Sequence, residues 1–319
     1  MTSAPLCSIL IVNWNARDFL QACLKSIPTD ELPLEILVID NGSSDGSVAM
    51  LKKEFSPERF PQLKVIPNST NLGFAAANNL AFRCAVGKYL LLLNPDTTLA
   101  ANTLPALIQF AEEHPHIGAL GPALRNPDGS LQRSCWRGYP GLAMAFSDAF
   151  FLWKVPWLPF ASTSEYRAEE LHAPRVVAHL LGACMLIRRE AWEAVGALDE
   201  NYFLFLEETD WCWRAQRAGW EIYYLPQVSV THYGQQSMRL VPQRNVPQFY
   251  KSYIRFYRMH RSNPSFGIFL LKMIVALACL IRIAMWRLRR MRADRVAEQT
   301  RAQAMATGYW QTLQQLGSF

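Results

Sequence analysis

The sequence of 319 residues has no Cys-x-x-Cys pair. Its seven cysteines (Cys7, Cys23, Cys84, Cys135, Cys184, Cys212 and Cys279) are scattered singly. An odd, unclustered set speaks against a disulfide framework and against a structural zinc site, and suits small buried hydrophobes in a reducing compartment. The chain also lacks Gly-x-Gly-x-x-Gly and Gly-x-x-x-x-Gly-Lys-[Ser/Thr], so neither a dinucleotide fingerprint nor a P-loop is written into it. It carries no internal repeat and no low-complexity tract. No basic stretch precedes the first apolar run, and no secretory leader is expected.

Broadly distributed charge is also missing. The formal net charge is +6, but between Arg282 and Arg301 seven arginines face only Asp294 and Glu298. The basicity therefore belongs to a tail, the body is close to neutral, and a nucleic-acid-binding surface is not expected. Long uncharged apolar runs are absent too. The most apolar segment, Ser265 to Trp286, is interrupted by Lys272 and Arg282. Its unbroken part, Met273 to Ile281, falls short of the about 20 residues that span a bilayer.

What the chain does contain is a 50% hydrophobic composition arranged in short apolar runs that end in polar turns. Ser8–Val12, Leu34–Asp40, Leu63–Pro67 and Tyr89–Leu93 read as strands. Between them lie helical patterns at 18–26, 48–55 and 71–86, and another follows at 104–113. Strands alternating with helices call for an α/β fold with a mostly parallel central sheet flanked by helices. Ile117–Pro122 reads as a further strand, Val176–Arg188 as one strand containing Gly182, 189–195 and 207–219 as helices, and 220–225 and 226–232 as two more strands. Residues 131–175, rich in Pro, Trp and Phe, read as a long irregular region.

In such a sheet, ligands bind beyond the carboxyl ends of the strands. Asn15, Asp40, Asp45, Asn94 and Asp96 all fall at strand ends. A crevice of acids and amides without a glycine-rich loop suits phosphates carried by a divalent cation, Mg²⁺ or Mn²⁺. Asp40 could accept from a nucleobase or ribose, and serves equally well as a turn or cap residue. His232 ends a strand, where a neutral imidazole could complete a metal site with Asp96, although a lone histidine is more often an ordinary packed or solvated residue. Glu207, Glu208 and Asp210 open a helix, where acids are favoured by the helix dipole. Crowding by like charge and by Phe203, Phe205 and Trp211 would instead raise a carboxyl pKa and make a general base. Gly182 allows close approach of a backbone or ligand.

Seven segments occur in one order: Ser8-Ile-Leu-Ile-Val-Asn-Trp-Asn15, Val38-Ile-Asp-Asn-Gly-Ser-Ser-Asp45, Asn71-Leu-Gly-Phe-Ala-Ala-Ala-Asn-Asn79, Leu93-Asn-Pro-Asp96, Gly182-Ala-Cys-Met-Leu-Ile-Arg-Arg189, Leu206-Glu-Glu-Thr-Asp-Trp-Cys-Trp-Arg214 and His232-Tyr-Gly-Gln-Gln-Ser237. Together they resemble the inverting family-two glycosyltransferases of the Rossmann-like GT-A fold, in particular the rhamnosyltransferase-like branch. The resemblance implies a nucleotide-diphosphate sugar donor held by Asn13, Asn15, Asp40, Asp45, Asn71, Gly73, Asn94 and Gly182. It further implies a Mg²⁺ or Mn²⁺ ion on Asp96 and His232. Glu208 matches the catalytic-base position, with Glu207 and Asp210 supporting, and Asp210 stays open as the base itself. Asn94 stands where the family's Asp-x-Asp motif carries its first acid, and Glu208 stands where many relatives have Asp.

The implied reaction is transfer of a sugar, with rhamnose from dTDP-rhamnose favoured, to a hydroxyl of a glycan or polyprenyl-linked acceptor in cell-envelope synthesis, with inversion. A non-catalytic sugar-nucleotide-binding scaffold subunit is the alternative. Residues 1–240 are expected to form the glycosyltransferase domain and 241–319 a helical, basic, membrane-associating region. An interfacial helix on the anionic cytoplasmic face of the inner membrane fits the tail best; a tilted spanning helix comes second, and a packed helical hairpin third.

Overall fold

A computed structural model describes residues 4–29, 32–132, 136–152, 172–234, 241–261 and 264–319, with Trp136 and Arg137 described by backbone alone. The apolar runs form strands buried on both faces: β1 (Cys7–Asn13), β2 (Leu34–Asp40), β3 (Leu63–Pro67, partly exposed) and β4 (Tyr89–Leu93). They pair in parallel in the order β3-β2-β1-β4. Helices α1 (Arg17–Lys25), α2 (Ser47–Glu54) and α3 (Phe74–Cys84) make the crossovers, and α1 turns Leu20, Cys23 and Leu24 inward. Cys7, Cys23, Cys184 and Cys212 sit fully inside this core, where burial raises their thiol pKa values.

The α/β sheet is more mixed than the sequence pattern suggests. Past the short β5 (Thr97–Leu99), α4 (Thr103–Glu113) leads into β6 (Ile117–Arg125). The expected single strand Val176–Arg188 is three pieces: β8 (Arg175–Val176), β9 (His179–Leu180) and β10 (Cys184–Arg188). A turn at Gly182 separates the last two, because a fully apolar run does not reveal where the chain changes partner. β10 inserts antiparallel between β4 and β6, and β9 pairs instead with β7 (Trp136–Arg137). The two strands expected at 220–232 are one, β11 (Glu221–His232), parallel to β6 and antiparallel to β5. A register shift between Leu225 and Ser229 accommodates Pro226, which has no N–H for the ladder. Helices α6 (Arg189–Val195) and α7 (Glu207–Arg217) complete this part.

The chain divides into two compact units. The first comprises Met1–Tyr139, Tyr166–Phe203 and Glu207–Gln236; the second comprises Pro140–Glu165, Leu204–Leu206 and Ser237–Phe319. Within the supposed irregular region, Leu142–Ala149 is a helix, α5, which belongs to the second unit; residues 153–171 lie outside the described residues. The second unit is built on α8 (Pro242–His260), α9 (Pro264–Arg292) and α10 (Val296–Gln315), around Tyr253, Ile254, Tyr257, Leu271, Val275 and Cys279. The charges that interrupt the apolar run do not break α9. Lys272 bonds the Gly317 carbonyl at 3.2 Å, and Arg282 bonds the Asp148 carbonyl at 2.6 Å and lies over the Phe151 ring. The helix is 29 residues long, long and apolar enough by length and composition to cross a membrane, so the short unbroken run understates it.

Candidate active site

Because β1, β2 and β4 run in parallel, Asn13, Asp40 and Asn94 share the carboxyl edge of the sheet. Asn13 and Asp40 are register partners, and the Asn13 amide donates to Asp40 Oδ1 at 2.8 Å and to Ser43 Oγ at 3.1 Å. The Ser43 N–H donates to the other Asp40 oxygen at 3.0 Å. Both side chains are buried, and Asn13 Oδ1 has no hydrogen-bond partner. Asn15, at φ 51°, accepts from the Ser44 N–H at 2.8 Å. Asp45 accepts from the Arg17 and Ser47 N–H groups and from the Ser47 hydroxyl. Partial burial raises its pKa, but these bonds outweigh it, and the net pKa is lowered.

Asn71 and Gly73 act on the loop rather than projecting from it. Asn71 Oδ1 accepts from the Gly73 N–H and from Asn41, a buried amide that also accepts from Asn68 and the Leu72 N–H. Gly73 has φ 87°, and a Cβ there would lie 2.5 Å from the Phe203 carbonyl oxygen. Only glycine lets that loop approach. The Phe74 N–H then donates to the same carbonyl at 2.7 Å.

The β4 end carries Asp96. His232 is the register partner of Thr97, the Tyr233 N–H bonds the Asp96 carbonyl, and His232 Nε2 lies 3.4 Å from Asp96 Oδ1. Gln132 fixes the imidazole tautomer. Its amide nitrogen donates to Asn126 Oδ1 and to the His232 carbonyl, so its Oε1 accepts from His232 Nδ1–H at 2.9 Å. In the neutral ring, the Nε2 lone pair is then left facing the carboxylate. One carboxylate oxygen and one imidazole nitrogen at this spacing fit a shared divalent cation completed by phosphate oxygens. Among the described residues, no group of three or more His, Cys, Asp or Glu forms. Asn94 contributes backbone here: its N–H bonds the Ala183 carbonyl at 2.9 Å, and its own carbonyl accepts from Cys23.

That Ala183 contact joins Asp96 to the base candidates. The neighbouring Gly182 packs against Glu208, its Cβ position 3.6 Å from Glu208 Cγ. Glu207 and Glu208 are 4% and 6% exposed. Burial pushes the Glu208 pKa up to about 7 against lowering by backbone hydrogen bonds and Glu207. Burial, then the Glu208 charge, raises Glu207 as well, and its Oε2 has no partner. Asp210 is paired with Arg214 at 2.8 Å, and Arg214 in turn bonds the Val195 and Ala197 carbonyls. Of the sequence-predicted residues, Asn13 meets Asp40, Asp96 meets His232, and Gly182 meets Glu208. Asp45, Asn71 and Gly73 are engaged by their own loops. Ser43 and Asn41 lie in one of the seven ordered segments but carried no assigned role, and Gln132 carried no signal at all: the side-chain partners of these common polar residues lie 27 to 100 positions away.

The glycosyl transferase family 2 profile matches residues 8–196, more than half of the chain. The chain belongs to glycosyl transferase family 2. Over 260 residues, this glycosyltransferase is 31% identical to the N-acetylglucosaminyl-diphospho-decaprenol L-rhamnosyltransferase of Mycobacterium tuberculosis, covering 76% of this chain and 81% of that one. It is 26% identical over 238 residues to the rhamnosyltransferase WbbL of Escherichia coli K12, covering 72% and 84%. Among solved structures, it is similar to the mannosyltransferase PcManGT of Pyrobaculum calidifontis in complex with GDP-Man and Mn²⁺. The TM-score is 0.57 at 17% identity, over 99% of this chain and 85% of that one. At that identity the likeness speaks to the GT-A fold alone.

Proposed function

We propose that this glycosyltransferase moves rhamnose from dTDP-rhamnose, with inversion, to a hydroxyl of a polyprenyl-linked or polysaccharide acceptor in cell-envelope glycan synthesis. The names of the Mycobacterium tuberculosis and Escherichia coli relatives support the sugar and the lipid-linked acceptor. The observation that carries the catalytic reading is Glu208, buried beside Gly182 with its pKa raised to about 7. A scaffold that only binds sugar nucleotide has no use for a carboxylate poised to accept a proton near neutrality.

In this reading Asn13 Oδ1 and Asp40 are acceptors for the donor's base and ribose. Asn15, Asp45, Asn71 and Gly73 hold the loops that shape that pocket, and Asn94 sets the turn that presents Asp96. Asp96 and His232 would hold Mg²⁺ or Mn²⁺, whose charge would stabilise the nucleotide diphosphate as it leaves. The Mn²⁺ complex of the mannosyltransferase neighbour supports that choice of ion. Glu208 takes the proton from the acceptor hydroxyl. The acceptor oxygen bonds to the anomeric carbon as its bond to the diphosphate breaks on the opposite face, and the bonding electrons depart with the nucleotide. Glu207, itself buried, packs the first turn of α7 beside Glu208. Asp210, held by Arg214, braces α7.

The helical unit suits the cytoplasmic surface of the inner membrane. On α9, Phe266, Phe269, Met273, Leu277 and Leu280 are 45–72% exposed at helical spacing. Arg287, Arg289, Arg290 and Arg292 follow on the same helix. An apolar face ending in cations matches an anionic lipid interface.

The test is thermal-shift binding across a panel of nucleotide sugars with and without Mg²⁺ or Mn²⁺, followed by transfer to a polyprenyl-diphosphate N-acetylglucosamine and assignment of the product anomer. Metal-dependent stabilisation by dTDP-rhamnose and an inverted product are expected. Selective binding of another donor, or a retained configuration, overturns the reading.

A further inference from the structure

We propose that His179 is a positioning residue for Glu208, acting through the Thr209 hydroxyl. The inference rests on the reading of Glu208 as the base. All the residues concerned belong to the first unit. Residues 177–182 run beside α7 and are tied to one face of that helix. Thr209, Cys212 and Gln216 stand three and four residues apart, which puts them on that face. The Gln216 amide donates to the Val177 carbonyl at 2.8 Å. The Tyr139 hydroxyl lies 2.6 Å from both Gln216 Oε1 and the Ala178 carbonyl. The Cys212 thiol bonds the Leu180 backbone. Thr209 Oγ1 lies 3.3 Å from His179 Nδ1. Gly182, at the end of this seam, packs against the Glu208 side chain.

The hydrogen bonds next to Glu208 have a direction. His179 Nδ1 also lies 3.2 Å from the Leu180 carbonyl, which can only accept, so Nδ1 carries the hydrogen. Facing the same N–H, Thr209 Oγ1 accepts, and its own hydrogen is left to donate elsewhere. That hydroxyl and the Thr209 N–H both bond the Glu208 carboxylate. His179 thus turns the hydroxyl towards the base. The imidazole is itself held, stacked on the Tyr139 ring with centroids 6.1 Å apart and planes at 28°. His179 and Thr209 are buried, so bulk water does not replace a lost bond between them. The charged and titratable groups around Glu208 are Glu207, Asp210, Cys212 and Arg214 on α7, with His179 of β9 reached through Thr209. The turn before β10 contributes Gly182, which carries no charge.

Four variants test this in the full-length protein, with Glu208→Gln in parallel: Thr209→Val, Thr209→Ser, His179→Gln and His179→Asn. Transfer from dTDP-rhamnose is followed against pH, and dTDP binding in Mg²⁺ is measured separately. Thr209→Val keeps the branched shape and loses the hydroxyl. It should move the acid limb of kcat up by about one pH unit, because a bond favouring the carboxylate is gone. At about pH 6, kcat then falls about ten-fold while dTDP affinity holds. Thr209→Ser should recover the native limb. An Asn amide reaches the place of Nδ1, whereas a Gln amide reaches towards that of Nε2. His179→Asn should therefore stay close to the native limb, and His179→Gln should shift as Thr209→Val does. An unmoved limb in folded Thr209→Val or His179→Gln overturns the proposal, even where kcat falls at every pH, which is what a merely structural contact would give. So does a shift in Thr209→Ser equal to that of Thr209→Val, or in His179→Asn equal to that of His179→Gln. If His179→Gln does not fold, the two Thr209 variants decide. A fully active Glu208→Gln refutes the base assignment itself, an outcome separate from these.

Discussion

Asp45 stands just ahead of α2, and Glu208 stands in the first turn of α7. Both are acids at a helix start, where the dipole favours the ionised form. Asp45 is half-buried, and three donors outweigh the effect of that burial, so its carboxylate is held ionised. Glu208 has hydrogen bonds of its own, one of them with Glu207, but burial outweighs them, and its pKa rises. A carboxylate with filled acceptor sites fixes a loop. A carboxylate deprived of water can take a proton near neutral pH.

The comparison breaks most visibly at Glu208. Glu208→Gln is expected to lower kcat on the order of 10²–10⁴-fold with donor affinity retained; near-normal turnover would assign the proton transfer elsewhere. In the native enzyme, activity should decline about ten-fold per pH unit below the value of about 7, because the protonated acid cannot act as base. Stability has the opposite sign. The folded pKa lies above the ordinary 4.5, so the site carries no penalty below about pH 4.5 and a growing one as pH rises towards about 7. Glu208→Gln should therefore melt higher than the native protein at pH 8 and equally at pH 4; a variant destabilised at pH 8 would show that the carboxylate is not under strain.

Asp96→Ala sharpens the donor side. It should cost on the order of 10²-fold in rate and abolish the Mg²⁺- or Mn²⁺-dependent part of the thermal shift with dTDP. An undiminished metal effect would remove Asp96 and His232 as the ion's ligands.

The sequence patterns gave up some features of the fold and withheld others. Runs such as Leu90–Leu93, short and bounded by turn residues, suit strands buried on both faces, and their polar ends mark the carboxyl edge. Direction and partner are another matter. Nothing in Cys184–Arg188 reveals that it runs antiparallel between β4 and β6, because burial on both faces erases the alternation that tells faces apart. The pairing of Asp96 with His232 was suggested by their places at strand ends and strengthened by the ordered motifs. Gln132, which sets the His232 tautomer from 100 positions away, was not legible at all.

The α9 face yields a smaller, graded effect. Replacing Phe266 and Phe269, 72% and 59% exposed, by Ser should weaken binding to anionic vesicles several-fold, since each ring loses what it gains from the part it buries at the interface. Turnover on a water-soluble acceptor should be unchanged. Equal vesicle binding by the variant would move the membrane contact to another surface.

The smallest effect is expected at Asp45, and it tests the comparison from the other side. Asn keeps an oxygen for the Ser47 N–H but loses the charge at the start of α2, a loss of about 0.5 kcal/mol. Because the folded pKa is depressed, the charge stabilises the protein above the ordinary value of 3.8 and ceases to do so as pH falls through the lowered one. Asp45→Asn and the native protein should thus differ slightly in Tm at pH 7 and converge in strong acid, with transfer changed less than about two-fold. If Asp45→Asn instead abolished dTDP binding, Asp45 would be contacting the donor directly. Filled hydrogen-bond acceptors would then be no guide to which carboxylates at this edge fix the loops and which do chemistry.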